Sequence, residues 1–275
     1  MIREQEFSKY VLIMKAIELI REPDSGGVAV VGVVNCGHTG RLNDFVEEGA
    51  KAGALTIICG GGSRKCWRQV APHGGARGII PTNPWAMGLP GGKNGPVLID
   101  FATSAMAGGW IMAALQAGAT LPRGVILDKN GHPTTNPKDY KAGGALLPAA
   151  GPKGYGLGLM AELIGGVMLG KVEIEAGLGL NSLIILVDTE RFLPRELLGQ
   201  GVESVLQEIR SCPPATGFEA VLIPGQWEKA NAEKLKKEGI LLPEPIWCRI
   251  QELAQRLQVS NVPQVEEVIH YNKKN

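Results

Sequence analysis

VAVVGVVNCGHTGRLNDFVEEGAKAGALTIIC (residues 28–59) contains a complete structural unit. VAVVGVV (28–34) is a continuous, largely β-branched run, the pattern of a strand covered on both faces. Leu42, Phe45, Val46, Gly49 and Ala50 then fall on one helical face, and Gly53 supplies a C-terminal stop. ALTIIC (54–59) predicts a second buried strand. The unit is strand–helix–strand, and its first strand runs out into a histidine, His38, flanked closely by Gly37 and Gly40.

Working outward, residues 7–20 carry apolar side chains at helical spacing until EPDSGG breaks the pattern. Residues 60–96 read as mostly irregular, and so long a loop inside a compact domain usually carries function. VLIDF (97–101) predicts a strand running into the small-residue helix of ATSAMAGGWIMAALQAG (102–118). VILDKNGHP (125–133) reads as a strand entering a turn. GGALLPAAGPKGYGLGLMAELIGG (143–166) reads as a loop feeding a glycine-spaced helix. SLIILVD (182–188) predicts another strand, followed by a helix from about 196 to 211. AVLIPGQ (220–226) is expected to be the last strand, with charged helices near 227–238 and 246–257 closing the chain. There is no internal repeat and no low-complexity linker, so the expectation is one α/β domain over residues 1–275, with 262–275 as a flexible tail.

Composition narrows the function classes. The 28 basic and 27 acidic residues leave a net charge of +1 without a basic block, which argues against nucleic acid as a partner. Five cysteines with no CxxC pair make a disulfide framework or a structural zinc unexpected and point to a reducing cytoplasm. No apolar run reaches the roughly 18 residues of a membrane span; the richest, GYGLGLMAELIGGVMLG (154–170), is interrupted by Glu162 and six glycines.

The dinucleotide fingerprint GxGxxG and the Walker loop are both absent, so a bound nucleotide would not use a Rossmann turn. His38 stands at a strand exit, where side chains converge on ligands, and an imidazole exchanges protons near neutral pH. The alternative is that His38 and Thr39 merely begin a helix. His73, His132 and His270 lie far apart without a helical partner, so no metal site is expected. Asp100 ends an apolar strand, where a carboxylate meets ligand hydroxyls or caps the next helix. Lys153, between glycines ahead of a helix, suits a phosphate, carboxylate or ribose hydroxyl, or is a solvated loop lysine.

Six segments, in order, resemble the malate/L-lactate dehydrogenase family with the non-Rossmann fold. They are GHTGRLNDFVEEGAKAG (37–53), VAPHGGARGIIPTNPWAMGLPG (70–91), VLIDFATSAMAGG (97–109), LPRGVILDKNGHPTTNP (121–137), GGALLPAAGPKGYGLGLMAELIGGVMLG (143–170) and GFEAVLIPGQWE (217–228). The resemblance covers about residues 10–245. It implies a three-layer α/β fold, a mixed sheet flanked by helices, in a homodimer. It also implies NAD- or NADP-dependent interconversion of a 2-oxo acid and a 2-hydroxy acid, with His38 as acid/base. By position, Gly62, Thr82, Asn83, Asp100, Phe101, Ala102, Lys153, Gly217, Phe218 and Glu219 match cofactor-contacting sites. A 2′-phosphate would need a cation, for which Arg64, Lys65 and Arg68 are candidates.

The sequence departs from the family pattern at several points. Gly62 stands where the family often has a serine, Pro81 replaces a glycine before Thr82, and Trp110 replaces a lysine. Residues 171–181 look shortened. The family's usual N-terminal helical segment, with its Ser-His-Gly motif, arginine and tyrosine, is missing from the matching stretches. The alternative function is therefore a cofactor-binding paralogue or truncated member with little or no catalytic activity.

Overall fold

The structure is a computed structural model, and it describes residues 9–37, 40–170, 179–239, 242 and 244–260. His38, Thr39 and the 262–275 tail lie outside the described residues, as does most of the shortened 171–181 stretch. Contacts gather the chain into two units, Met1–Gly225 and Gln226–Asn275. The second holds α7 (Gln226–Glu238) and α8 (Glu244–Arg256), the two charged helices expected from the sequence.

The first unit is built on five strands: β1 (Val28–Cys36), β2 (Ala54–Gly61), β3 (Trp85–Leu89), β4 (Val97–Phe101) and β8 (Leu180–Asp188), in the order β1-β8-β2-β3-β4. Every pairing in this sheet is antiparallel. One face carries α1 (Lys9–Arg21) and α2 (Asn43–Lys51). Leu12, Ile13, Ala16, Ile17 and Ile20 of α1 bury against Ala29, Val31 and Val33 of β1 and Ile184 and Leu186 of β8. On α2, Val46, Gly49 and Ala50 are buried and Phe45 packs against the same core, the helical face read from the sequence. Gly49 leaves no room for a Cβ, which would lie on the Thr56 hydroxyl of β2.

Side chains alternate along a strand, so the odd positions of β2 face the other way. There α5 (Pro152–Leu163) and a π-helical turn (Ile164–Met168) approach the sheet, with Gly61 backing onto Ala161 and Gly32 onto Leu169. The layers are helix, sheet, helix, as expected. A smaller sheet, β5 (Ile126–Leu127), β6 (Pro133–Thr134) and β7 (Ala145–Leu146), forms a second core with α3 (Gly108–Ala117) around Val70, Ile80, Ile111, Leu121, Val125, Ile126 and Leu146. The short α4 (Pro137–Lys141) joins β6 to β7, and α6 (Arg195–Ser211) follows β8.

Four expectations are corrected. The large sheet is antiparallel throughout rather than mixed. Residues 28–34 are not covered on both faces: β1 is a sheet edge, and Val28, Val30 and Val34 are exposed while Ala29, Val31 and Val33 are buried. A β-branched run reports β propensity, which an edge strand satisfies as well as a central one. Residues 220–226 form no strand. Only Ile223 of that run is buried, Leu222 is exposed, and Pro224 and Gly225 turn the chain into α7. The irregular stretch 60–96 contains a strand, β3, which the neighbouring Pro and Gly residues concealed.

Candidate active site

The antiparallel register gathers the candidate residues at one end of the large sheet. Cys36 at the end of β1 pairs with Leu180 at the start of β8, and Asn181 pairs with Gly61 at the end of β2. Cys59 pairs with Trp85 at the start of β3, and Trp85 pairs with Phe101 at the end of β4. The same sheet end therefore carries Gly37, Gly62, Thr82, Asn83, Asp100, Phe101 and Ala102. These residues are separated by up to 65 positions in sequence but by a single row of strands in space.

At β1 the exit is shaped by an irregularity between Val33 and Cys36, with Asn35 at φ 52°. Extra backbone of this kind bends a strand and re-aims the residues after it, here Cys36 and Gly37. Asn181, fully buried, fixes the bend. Its Oδ1 accepts from the Asn35 N–H at 2.9 Å, and its Nδ2 donates to the Gly165 carbonyl at 2.7 Å and the Gly170 carbonyl at 3.1 Å. The Cys36 thiol donates to the Leu180 carbonyl, and burial pushes the Cys59 thiol up from its ordinary value. Both serve the sheet rather than chemistry.

On the far side of the Gly-His-Thr-Gly segment, Asp100 does what a helix cap does. Its Oδ2 accepts from the backbone N–H groups of Leu42 at 2.8 Å and Asn43 at 3.1 Å, the start of α2. No side chain on α2's own N-cap, Leu42, supplies such a bond, so a residue 58 positions later fills the orphan donors. The sequence reading of a cap on the next helix is corrected: the carboxylate caps α2, which precedes it in the chain, and not α3.

Burial pushes the Asp100 carboxyl up from its ordinary 3.8, against the opposing pull of the Asn43 and Leu42 amides and of Arg41. The folded chain thus holds this proton more tightly than the unfolded chain. That contribution is fully present below the unfolded value and is lost as the pH rises through the higher folded one. Relative to Asp100→Asn, which keeps an accepting oxygen without the charge, the natural protein should therefore gain stability on going from pH 7 to pH 4. Urea unfolding of both at each pH checks this, and a gap moving the opposite way would contradict the sign.

The Thr82–Asn83–Pro84 corner is bound to its surroundings on three sides. The Thr82 carbonyl accepts from both the N–H and the hydroxyl of Thr103 at 2.9 Å, and the Pro84 carbonyl accepts from Gly60 N–H. Asn83, at φ 36° and fully buried, donates from Nδ2 to the Gly158 carbonyl at 2.8 Å and to Glu162 Oε2 at 3.2 Å. Its side chain thus points into α5, whereas Thr82 stays half-buried.

Gly62, at φ 92°, has backbone where a side chain would be, since a Cβ would sit 2.7 Å from the Gly165 carbonyl carbon. This explains why no serine stands there. Among the candidate cations of the same loop, Arg64 lies with Nη1 3.5 Å from Glu162 Oε1.

Lys153 is exposed in the first turn of α5, whose N-cap, Gly151, offers no capping side chain. The next residue, Gly154, approaches so closely that a Cβ would lie 2.7 Å from the Thr103 carbonyl oxygen, which puts Lys153 beside the strand end bearing Phe101 and Ala102. Gly217, Phe218 and Glu219 occupy an exposed turn closed by the Phe218 N–H on the Ala215 carbonyl. Their contacts do not join them to the clustered residues. Among the described residues no group of three or more His, Cys, Asp or Glu side chains is arranged to hold a metal.

Two residues of this sheet end carry no functional reading in the sequence, Asn181 and Glu162. A signal existed for Glu162: a single carboxylate inside an apolar, glycine-rich helix survives burial only with partners.

Residues 5–251 match the family model described as malate/L-lactate dehydrogenase. The chain is 36% identical over 239 residues to the ureidoglycolate dehydrogenase (NAD(+)) of Escherichia coli, covering 83% of this chain and 66% of that one. It is 34% identical over 252 residues to the L-sulfolactate dehydrogenase of Methanocaldococcus jannaschii, covering 88% and 71%. The solved structure of sulfolactate dehydrogenase from the same archaeon superposes with a TM-score of 0.77 at 31% identity, over 90% of this chain and 72% of that one. The chain thus spans about two thirds to seven tenths of the length of these relatives. With six motifs in order and a model match along most of its length, the chain belongs to the malate/L-lactate dehydrogenase family.

Proposed function

We propose that this protein is a nicotinamide-dependent oxidoreductase that interconverts a 2-oxo acid and a 2-hydroxy acid, with His38 as the acid/base. The observation that carries the reading is the convergence of the β1, β2 and β4 exits and the β3 entry on one sheet end. The relatives' names support the reaction class, and one of them, the ureidoglycolate dehydrogenase, supports NAD as cofactor.

The residues present fit an anionic dinucleotide. No side chain caps the first turn of α3, which leaves its leading N–H groups to a ligand. At α5 Pro152 has no N–H and the Gly154 N–H donates to the Ala149 carbonyl, so that end offers Lys153, by its N–H and its cation. A Cβ added at Gly109 or Gly156 would meet nothing within 4 Å, leaving open space over both helices. When bound, the nicotinamide supplies the hydride that reaches the carbonyl carbon.

The chain's own part is proton transfer and placement. In reduction the His38 imidazole gives a proton to the carbonyl oxygen, and in oxidation it removes the hydroxyl proton. Gly37 and Gly40 bring no side chains of their own to this segment, and Asp100 holds the helix that comes next. Thr82, Phe101 and Ala102 line the cofactor at the sheet end, and Gly62 and Asn83 shape that lining from beneath; Gly217, Phe218 and Glu219 are cofactor candidates by the family resemblance alone. Lys65 and Arg68, exposed and next to Arg64, are the residues toward which the 2′-phosphate of NADP would turn.

We place the protein in the cytoplasm as a homodimer. Among the described residues no helix is long and apolar enough to cross a membrane. The exposed bulky side chains of α5 and the π turn, including Leu157, Met160, Val167 and Met168, give such a dimer an apolar surface to cover.

The test is loss of nicotinamide absorbance when the protein is mixed with NADH or NADPH and a panel of 2-oxo acids. Consumption dependent on both components is expected. Cofactor binding without consumption on any acid would instead favour a non-catalytic cofactor binder.

A further inference from the structure

Glu162 is the least expected charge in the first unit. It is 3% exposed, on a helix whose other buried residues are Gly154, Gly158 and Ala161. A carboxylate taken out of water is costly unless its lone pairs are filled. Here they are filled from two loops. Oε2 accepts from the Gly62 N–H at 3.0 Å and from Asn83 Nδ2 at 3.2 Å. Oε1 accepts from the Arg64 N–H at 3.1 Å and lies 3.5 Å from Arg64 Nη1.

The partners are the informative part. Gly62 has no side chain and no space for one, so its amide is what that position can offer. Arg64 is held by the same carboxylate at both its backbone and its guanidinium. Asn83 sits in a left-handed conformation that its buried amide bonds stabilise, one to Glu162 and one to the Gly158 carbonyl a helical turn earlier. The loop after β2 and the corner before β3 are thereby attached to one point of α5, the helix whose first turn carries Lys153.

We infer that Glu162 is a positioning residue that locks loop 62–64 and the Thr82–Asn83–Pro84 corner into one preformed wall of the cofactor site. This rests on the function proposed above. Ordering both segments before the ligand arrives removes an entropic cost from binding. The relevant quantity is cofactor affinity, and Glu162 itself touches no substrate.

The experiment measures NADH affinity of the full chain by nicotinamide fluorescence. Glu162→Gln turns an amide N–H toward donors that need an acceptor, and it is expected to weaken NADH about tenfold or more. Thr189→Val is the control for lost stability. It removes the buried hydrogen bond from Thr189 to the Gly53 carbonyl at the opposite end of the sheet, and NADH affinity should be unchanged.

A folded Glu162→Gln protein that binds NADH within twofold of the natural chain would overturn the inference. Hydrogen exchange reads the same lock without a variant: the Gly62 and Arg64 amides should be protected before any cofactor is added. Exchange at the rate of an open loop would overturn it equally, whether or not Glu162→Gln folds. A natural chain that binds neither NADH nor NADPH would defeat the proposed function instead, leaving the exchange result to decide on the lock.

Discussion

His38→Ala is expected to lower turnover of NADH with a 2-oxo acid by about 10²- to 10⁴-fold, the usual contribution of a general acid/base. Its NADH affinity should stay within twofold of the natural protein. The separation follows from where the parts come from. Residue 38 follows β1 at the sheet edge, whereas the residues proposed to line the cofactor come from the ends of β2, β3 and β4 and from α5. The substitution removes the proton donor and changes none of those residues. Steady-state kinetics and fluorescence titration on the same preparation check both halves. A parallel loss of affinity and turnover would mean that His38 serves the cofactor rather than the proton.

The largest expected loss of stability comes from a single methyl group. At Gly61 a Cβ would lie 2.1 Å from the Ala161 carbonyl oxygen, 2.5 Å from its carbon and 2.9 Å from the Glu162 nitrogen. The contact is reciprocal, because a Cβ at Gly165 would lie 2.4 Å from the Gly61 carbonyl carbon. Two backbones touch here, and neither has a side chain end that can swing aside.

Gly61→Ala must therefore push α5 off β2, at a cost of about 1–3 kcal/mol or more. It should also weaken NADH, since Glu162 moves with the helix. Gly156→Ala, on the same helix but with nothing within 4 Å of the added carbon, should instead gain up to about 1 kcal/mol from helix propensity. Urea unfolding of the pair distinguishes a close backbone approach from a general intolerance of α5.

Much of the sheet was legible because its strands are long enough to show a pattern. β2, β4 and β8 read as apolar runs, and α2 read as one buried face ending at Gly53. The failures have physical causes. β3 is five residues carrying Gly88, which packs against the backbone of α2 at Val46, and it comes directly after the Pro-rich corner. Residues 220–226 had a strand's composition and no place in the sheet. β1 had the composition of a central strand and lies at the edge, which depends on pairings that no local pattern records.

The site was legible in a similar, partial way. The sequence pointed to Asp100 and Asn83 as functional positions, and the structure gives each a supporting role. Asp100 holds the start of α2, and Asn83 holds α5. Their partners are 57 to 79 residues away in sequence, so spacing alone does not reveal them. Asn181 and Glu162 escaped for the same reason. A lone buried polar residue discloses its purpose only through the groups it reaches.

The most direct measurement of the central claim traces the hydride itself. The protein is incubated with NADH deuterated at the transferring position of C4 and with the 2-oxo acid that consumes it best, and the hydroxy acid is analysed by mass spectrometry. One deuterium per product molecule is expected, on the carbon that was the carbonyl. Deuterium retained in the cofactor, with no labelled hydroxy acid from any 2-oxo acid offered, would contradict it.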